Sequence, residues 1–89
     1  MNRLEPLLAN ARDVAGLFRL GRDVEAAGVM IELFEPVQRL VDVAPVPVHQ
    51  DWARLLGLML ACQEAQDWLG LADYLEYEMV EWLREAFAG

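Results

Sequence analysis

The chain contains no serine, no threonine and no lysine in its 89 residues. These absences remove hydroxyl nucleophiles, Schiff-base lysines, the phosphate-gripping P-loop and Ser/Thr phosphorylation in one step. The single cysteine, Cys62, has no partner for an internal disulfide and no metal-ligand spacing around it. It reads as a small buried hydrophobe in a reducing, cytoplasmic protein. His49 is the only histidine. Metal sites in helical bundles draw on a Glu-x-x-His motif from each of two helices, and neither motif exists here, so His49 is expected on a surface loop. No catalytic residue, cofactor or metal site is expected, and the protein is read as a non-enzyme.

Positive charge is also scarce. Seven Arg stand against 15 acids, giving a net charge of −8 and an estimated pI near 4.4. Phosphate backbones and anionic membrane surfaces would be repelled, which argues against direct nucleic-acid binding. The imbalance is steeper in the second half, where residues 45–89 hold two Arg and eight acids. No long apolar run is present either. The most apolar stretch, "LLGLMLAC" from Leu55 to Cys62, falls far short of the roughly 20 residues a membrane span needs. The start, "MNRLEPLLANARD", meets Arg and acids before a signal-peptide core could form, and no lipidation pattern occurs. A cytoplasmic protein without a membrane anchor is the expectation.

What the chain does have is apolar residues, 56% of the total. A domain this short buries only about 60–65% of the surface its unfolded chain exposes. Such a composition predicts a folded domain with apolar surface to spare.

The pattern of those residues is helical. Leu4, Leu7, Leu8, Ala11, Val14, Ala15 and Phe18 recur at i, i+3, i+4 and i+7, the mark of an amphipathic helix. Asn2 and Glu5 have the spacing of a capping box at its start. Gly21 reads as a stop and Asp23 as the N-cap of a second helix running to about Asp42. Pro36 lies inside that helix and is expected to kink or split it. "APVPV", Ala44 to Val48, reads as an extended linker. Asp51 is expected to cap a third helix from Trp52, and Asp67 a fourth from Trp68 to about Phe87. The fold predicted is all-α: a four-helix bundle built from two helical hairpins, about 3–43 and 51–87, joined by a proline-containing linker over 44–50. Placing Asp23 over Asp67 aligns the hairpins at an offset of 44 residues. The spacing resembles that of tetratricopeptide-type repeats, although their signature is missing, so a repeat-like stack is the alternative to a closed bundle.

Two groups of residues are candidates for function. Leu55, Leu56, Leu58, Met59 and Leu60 give the third helix more apolar circumference than three companions hide, which predicts a homodimer interface or an obligate partner. Asp73, Tyr74, Tyr77 and Glu81 place aromatic rings in an acidic surround on the fourth helix, suited to a basic or amphipathic segment of another protein. Glu76 falls awkwardly on the flank of the apolar stripe and is expected to pair with an Arg, Arg84 being nearest in sequence, or to reach water.

The segment "DWLGLADYLEYEMVEWL" resembles a C-terminal pattern of small, uncharacterised bacterial helical proteins, carried here by Asp67, Leu71, Ala72, Asp73, Leu75, Glu76, Tyr77 and Glu78. In composition the chain also resembles flagellar and secretion chaperones, small acidic helical proteins that hold an export substrate. These likenesses imply a bacterial origin and a non-catalytic, chaperone-like or adaptor role. The alternative reading is an acidic regulator, or nucleic-acid mimic, that occupies a DNA- or RNA-binding protein.

Overall fold

The computed structural model of the chain describes residues 4–87. Helix α1 spans Leu4–Arg19, α2 spans Asp23–Asp42 and α3 spans Val46–Glu64. The fourth rod is continuous but not uniform: α4 over Trp68–Asp73, a π-helical segment over Tyr74–Met79, and α5 over Val80–Phe87. The described residues hold no strand, and the fold is the expected all-α four-helix bundle. Contacts of α1 with α2 on one side and with α4, the π segment and α5 on the other close the ring.

The core is built on α1. Its seven apolar residues at helical spacing, Leu4 through Phe18, are all buried. Phe18 stacks on Trp68 with ring centroids 5.6 Å apart. From α2 the core takes Ala26, Met30, Leu33, Val37 and Val41, and from the fourth rod Leu71, Ala72, Leu75, Met79, Val80 and Leu83. Among the described residues no polar or charged side chain is buried, so burial here is almost purely hydrophobic.

A row of aromatics ties α3 to its neighbours. Phe34 meets Trp52 edge to face at 5.4 Å, Trp52 stacks on Trp82 at 5.3 Å, and Trp82 meets Phe87 edge to face at 5.7 Å. Trp52 Nε1 donates to Gln38 Oε1 at 2.9 Å, which satisfies the one polar atom of the ring.

Helices α1 and α3 end with the same device. After α1, Gly21 adopts φ 78°, its N–H donates to the Phe18 carbonyl, and Arg22 N–H donates to the Leu17 carbonyl. After α3, Gln66 takes φ 56°, with Gln66 N–H to the Gln63 carbonyl and Asp67 N–H to the Cys62 carbonyl. Both satisfy the last carbonyls of a helix by a left-handed residue; glycine adopts that conformation freely and glutamine does not.

The helix starts differ from expectation in two places. Asp23 is the first residue of α2 rather than its cap, which is Arg22 and makes no side-chain capping bond. Helix α3 begins at Val46 behind Pro45, not at Trp52 behind Asp51, so the linker expected over 44–50 shrinks to the few residues before Val46. The reason is that a proline in the first helical turn loses no bond, because its N–H would lack an intrahelical partner anyway. Pro47 therefore opens the helix where an extended linker was expected. Nor does Pro36 split α2, which runs through it; the Glu32 it deprives of an amide partner is on the exposed side. Asp67 caps α4 as expected, its carboxylate accepting from Gly70 N–H at 3.0 Å. The Asn2 capping box lies outside the described residues.

The π segment explains a detail of the core. At the regular α-helical period Val80 lies about 140° round from Leu75, at the margin of the apolar face, yet it is buried with Leu75, Met79 and Leu83. Wider i→i+5 turns rotate the chain less per residue and bring Val80 back onto the apolar face.

Candidate interaction surfaces

Only three residues of α3, Trp52, Leu55 and Met59, are buried. They lie on one side of the helix, as their spacing of three and four requires. Two of the five expected interface residues, Leu55 and Met59, are thus core and not available to a partner. Leu56 is half-buried against the core. Leu58 and Leu60 remain exposed, at 37% and 45%. At roughly 100° per residue these two stand about 160° apart, one on each flank of the outward arc. Between them lie Ala53, Gly57 and Ala61, all exposed. A Cβ on Gly57 would meet nothing within 4 Å, so no contact within the chain requires glycine there. The outer face of α3 is a floor of small residues walled by two leucines, bearing Arg54 on one edge and Glu64 near its C-terminal end. Neither charge makes an ion pair among the described residues.

The second surface surrounds the π segment. Arg19, the last residue of α1, reaches across to the fourth rod and forks: Nη1 to Glu76 Oε1 at 2.6 Å and Nη2 to Asp73 Oδ1 at 2.8 Å. Its guanidinium also lies 5.9 Å from the centre of the Tyr77 ring. Glu76 therefore pairs with Arg19, not with Arg84. Arg84 lies close to Glu76 along one helix, but the long-range packing of α1 on the fourth rod decides the partner. The neighbouring Tyr77 hydroxyl and then Arg19 hold the Glu76 carboxyl below its usual range. Glu76 in turn raises Tyr77, and Asp73 followed by Glu76 raises Arg19. Near neutrality the Glu76 carboxylate is therefore charged and the Tyr77 phenol neutral.

Of the expected recognition residues, Asp73 is committed to Arg19, Tyr74 is half-buried against the core, and Tyr77 and Glu81 are exposed. A groove of about 560 Å³ runs beside them, lined by Arg12, Glu76, Tyr77, Glu78, Val80, Glu81 and Arg84. A second, of about 370 Å³, lies on the other side of Tyr77 between Gly70, Asp73, Tyr74 and Glu78. Tyr77 thus stands as a ridge, 61% exposed, between two acid-lined hollows. Arg12 and Arg84 lay outside the expected surface because only the packing of α1 on the fourth rod brings them to the same groove.

His49 sits in the first turns of α3 rather than on a loop, exposed, with Nε2 2.8 Å from the Ala44 carbonyl oxygen. Cys62 is half-buried, and burial followed by the Asp67 charge pushes its thiol above the usual range, which favours the protonated form. No group of His, Cys, Asp and Glu suited to a metal ion occurs among the described residues. No helix among them is long and apolar enough to cross a membrane. Comparison of the chain with family models, with curated proteins and with solved structures finds no match.

Proposed function

We propose that the protein is a non-catalytic interaction module, a homodimer of chaperone-like or adaptor type that associates through the outer face of α3 and holds a basic or amphipathic segment of another protein. The observation that carries this reading is the exposed Leu58 and Leu60 around the Ala53, Gly57 and Ala61 floor, a helix face that nothing in the described chain covers. Apolar surface at this position contributes to association at roughly 25 cal/mol per Å² removed from water, before the costs of binding. The ridge of Tyr77 between acidic hollows supplies the second contact, where carboxylates steer a cationic segment and an aromatic anchors it.

Sedimentation equilibrium of the wild type and of a Leu58→Glu/Leu60→Glu variant tests it. Both side chains are on the surface, so the variant is expected to keep its helical circular dichroism. The wild type should sediment above 10.1 kDa and the variant at that mass. A wild type that stays at 10.1 kDa at all concentrations, or a variant that associates equally well, overturns the reading.

The alternative, an acidic regulator that takes the place of nucleic acid, is favoured by one feature: Glu78, Glu81 and Glu85 are exposed at helical spacing on the fourth rod. Arg12 and Arg84 in the same groove weaken its resemblance to a run of phosphates. Competition between this protein and DNA for one target would support that alternative over the first.

A further inference from the structure

The outer face of α3 carries Arg54 toward the middle of the helix and Glu64 at its last residue, with the exposed Asp51 at its margin beside Leu58. Ten residues separate Arg54 from Glu64, about 15 Å along the axis. We infer that the occupant of this face is a second copy of the chain, its α3 packed antiparallel to the first about a centre level with Met59, so that Arg54 of each copy meets Glu64 of the other. The inference rests on the interaction reading above and assigns its register.

Three observations favour this geometry. First, a two-fold antiparallel pairing makes the face self-complementary, because Arg54 and Glu64 exchange positions about a centre near Met59, whereas a parallel pairing sets Arg against Arg and Glu against Glu. Both side chains are exposed and without an ion pair among the described residues, so neither must first leave a partner. Second, the chain carries a net charge of −8, which opposes self-association over most of its surface. Four exposed acids, Asp73, Glu78, Glu81 and Glu85, belong to the fourth rod, so a copy approaching α3 meets only Asp51, Arg54 and Glu64 on that helix instead. Third, Ala53, Gly57 and Ala61 leave room for a close axial approach, with Leu58 and Leu60 closing on the partner helix from either side.

A register that sets Arg54 against Glu64 overlaps the two copies over residues 54–64, about 16 Å of each helix, so the contact is small and belongs with weak, transient interfaces.

Charge reversal tests the register in the full-length protein. Arg54→Glu and Glu64→Arg should each weaken the dimer by about tenfold, since each turns two attractive pairs into two repulsive ones. The double variant Arg54→Glu/Glu64→Arg should return to within about twofold of wild type. Helical circular dichroism of each variant serves as the folding control. If the wild type dimerises and Leu58→Glu/Leu60→Glu abolishes the dimer, but the double reversal is no better than the singles, the antiparallel register is overturned while the interaction reading stands. A wild type that never leaves the monomer overturns both.

Discussion

Helices α1 and α3 are of similar length and both rich in leucine, yet they do opposite things. Helix α1 buries seven residues and packs on α2 and on all three parts of the fourth rod; α3 buries three and leaves leucines on both flanks. The difference is one of phase, not of composition. In α1 the apolar residues fall at three- and four-residue steps and share a face, so one packing event hides them all. In α3 the run from Leu55 to Leu60 places large apolar residues around the helix, and a bundle hides only one side. A consecutive run of leucines therefore marks the helix least absorbed by its own fold, and spacing, more than hydropathy, indicates where the core lies.

Breaking the comparison at its strong end gives the largest effect. Phe18→Ala removes a ring that is 2% exposed and stacked on Trp68, and should cost about 3–5 kcal/mol in urea unfolding, whereas Leu60→Ala under dilute, monomeric conditions should stay within about 0.5 kcal/mol of wild type. Equal costs would mean that α3 is as deeply integrated as α1.

The tie between α3 and α2 is the next test. Gln38→Ala leaves the part-buried Trp52 N–H without its acceptor and should cost about 1–3 kcal/mol, read as a loss of stability together with a change in tryptophan fluorescence. The shared helix ending provides a sharper contrast. Gly21 and Gln66 occupy equivalent left-handed positions, so Gln66→Gly should stabilise the fold by about 0.5–1 kcal/mol, while Gly21→Ala should destabilise it by a similar amount. Gly57→Ala separates folding from association: it should raise monomer stability by about 0.5–1 kcal/mol and weaken the dimer.

The smallest effect is the pH dependence of the Arg19 clamp. Because the folded Glu76 carboxyl titrates below its unfolded value, its contribution is complete above the ordinary Glu range near pH ~4.3 and is lost as pH falls through the lowered folded value. Arg19→Met removes one cause of that shift. Its stability should therefore fall less steeply than wild type between pH 5 and pH 2, as compared by urea midpoints at matched pH.

Much of the fold was legible in the sequence because it rested on local signals. The α1 stripe, the Gly21 stop, the Asp67 cap and the number of helices all follow from spacing and turn chemistry within a few residues. Boundaries were less legible where one residue type has two uses: proline was read as a breaker at Pro47 and Pro36, but the first serves as a helix start and the second is carried by the surrounding helix. The π segment left no local sign in the sequence. Exposure on the candidate surfaces was legible in part. Leu58, Leu60, Tyr77 and Glu81 are on the surface as expected, whereas Leu55 and Met59 are core and the partner of Glu76 comes from a helix more than fifty residues away. Long-range pairings of that kind depend on how helices pack against one another, which no local pattern records.

The proposed association rests on which apolar residues sense a second chain. Methyl NMR spectra recorded across a concentration series read this directly. The methyl resonances of Ala53, Leu58, Leu60 and Ala61 should shift as concentration rises, while those of Ala11, Val14 and Ala15 in α1 stay fixed. Shifts confined to other exposed apolar residues, such as Val24, Ile31 or Leu69, or no shift at any concentration, would contradict it.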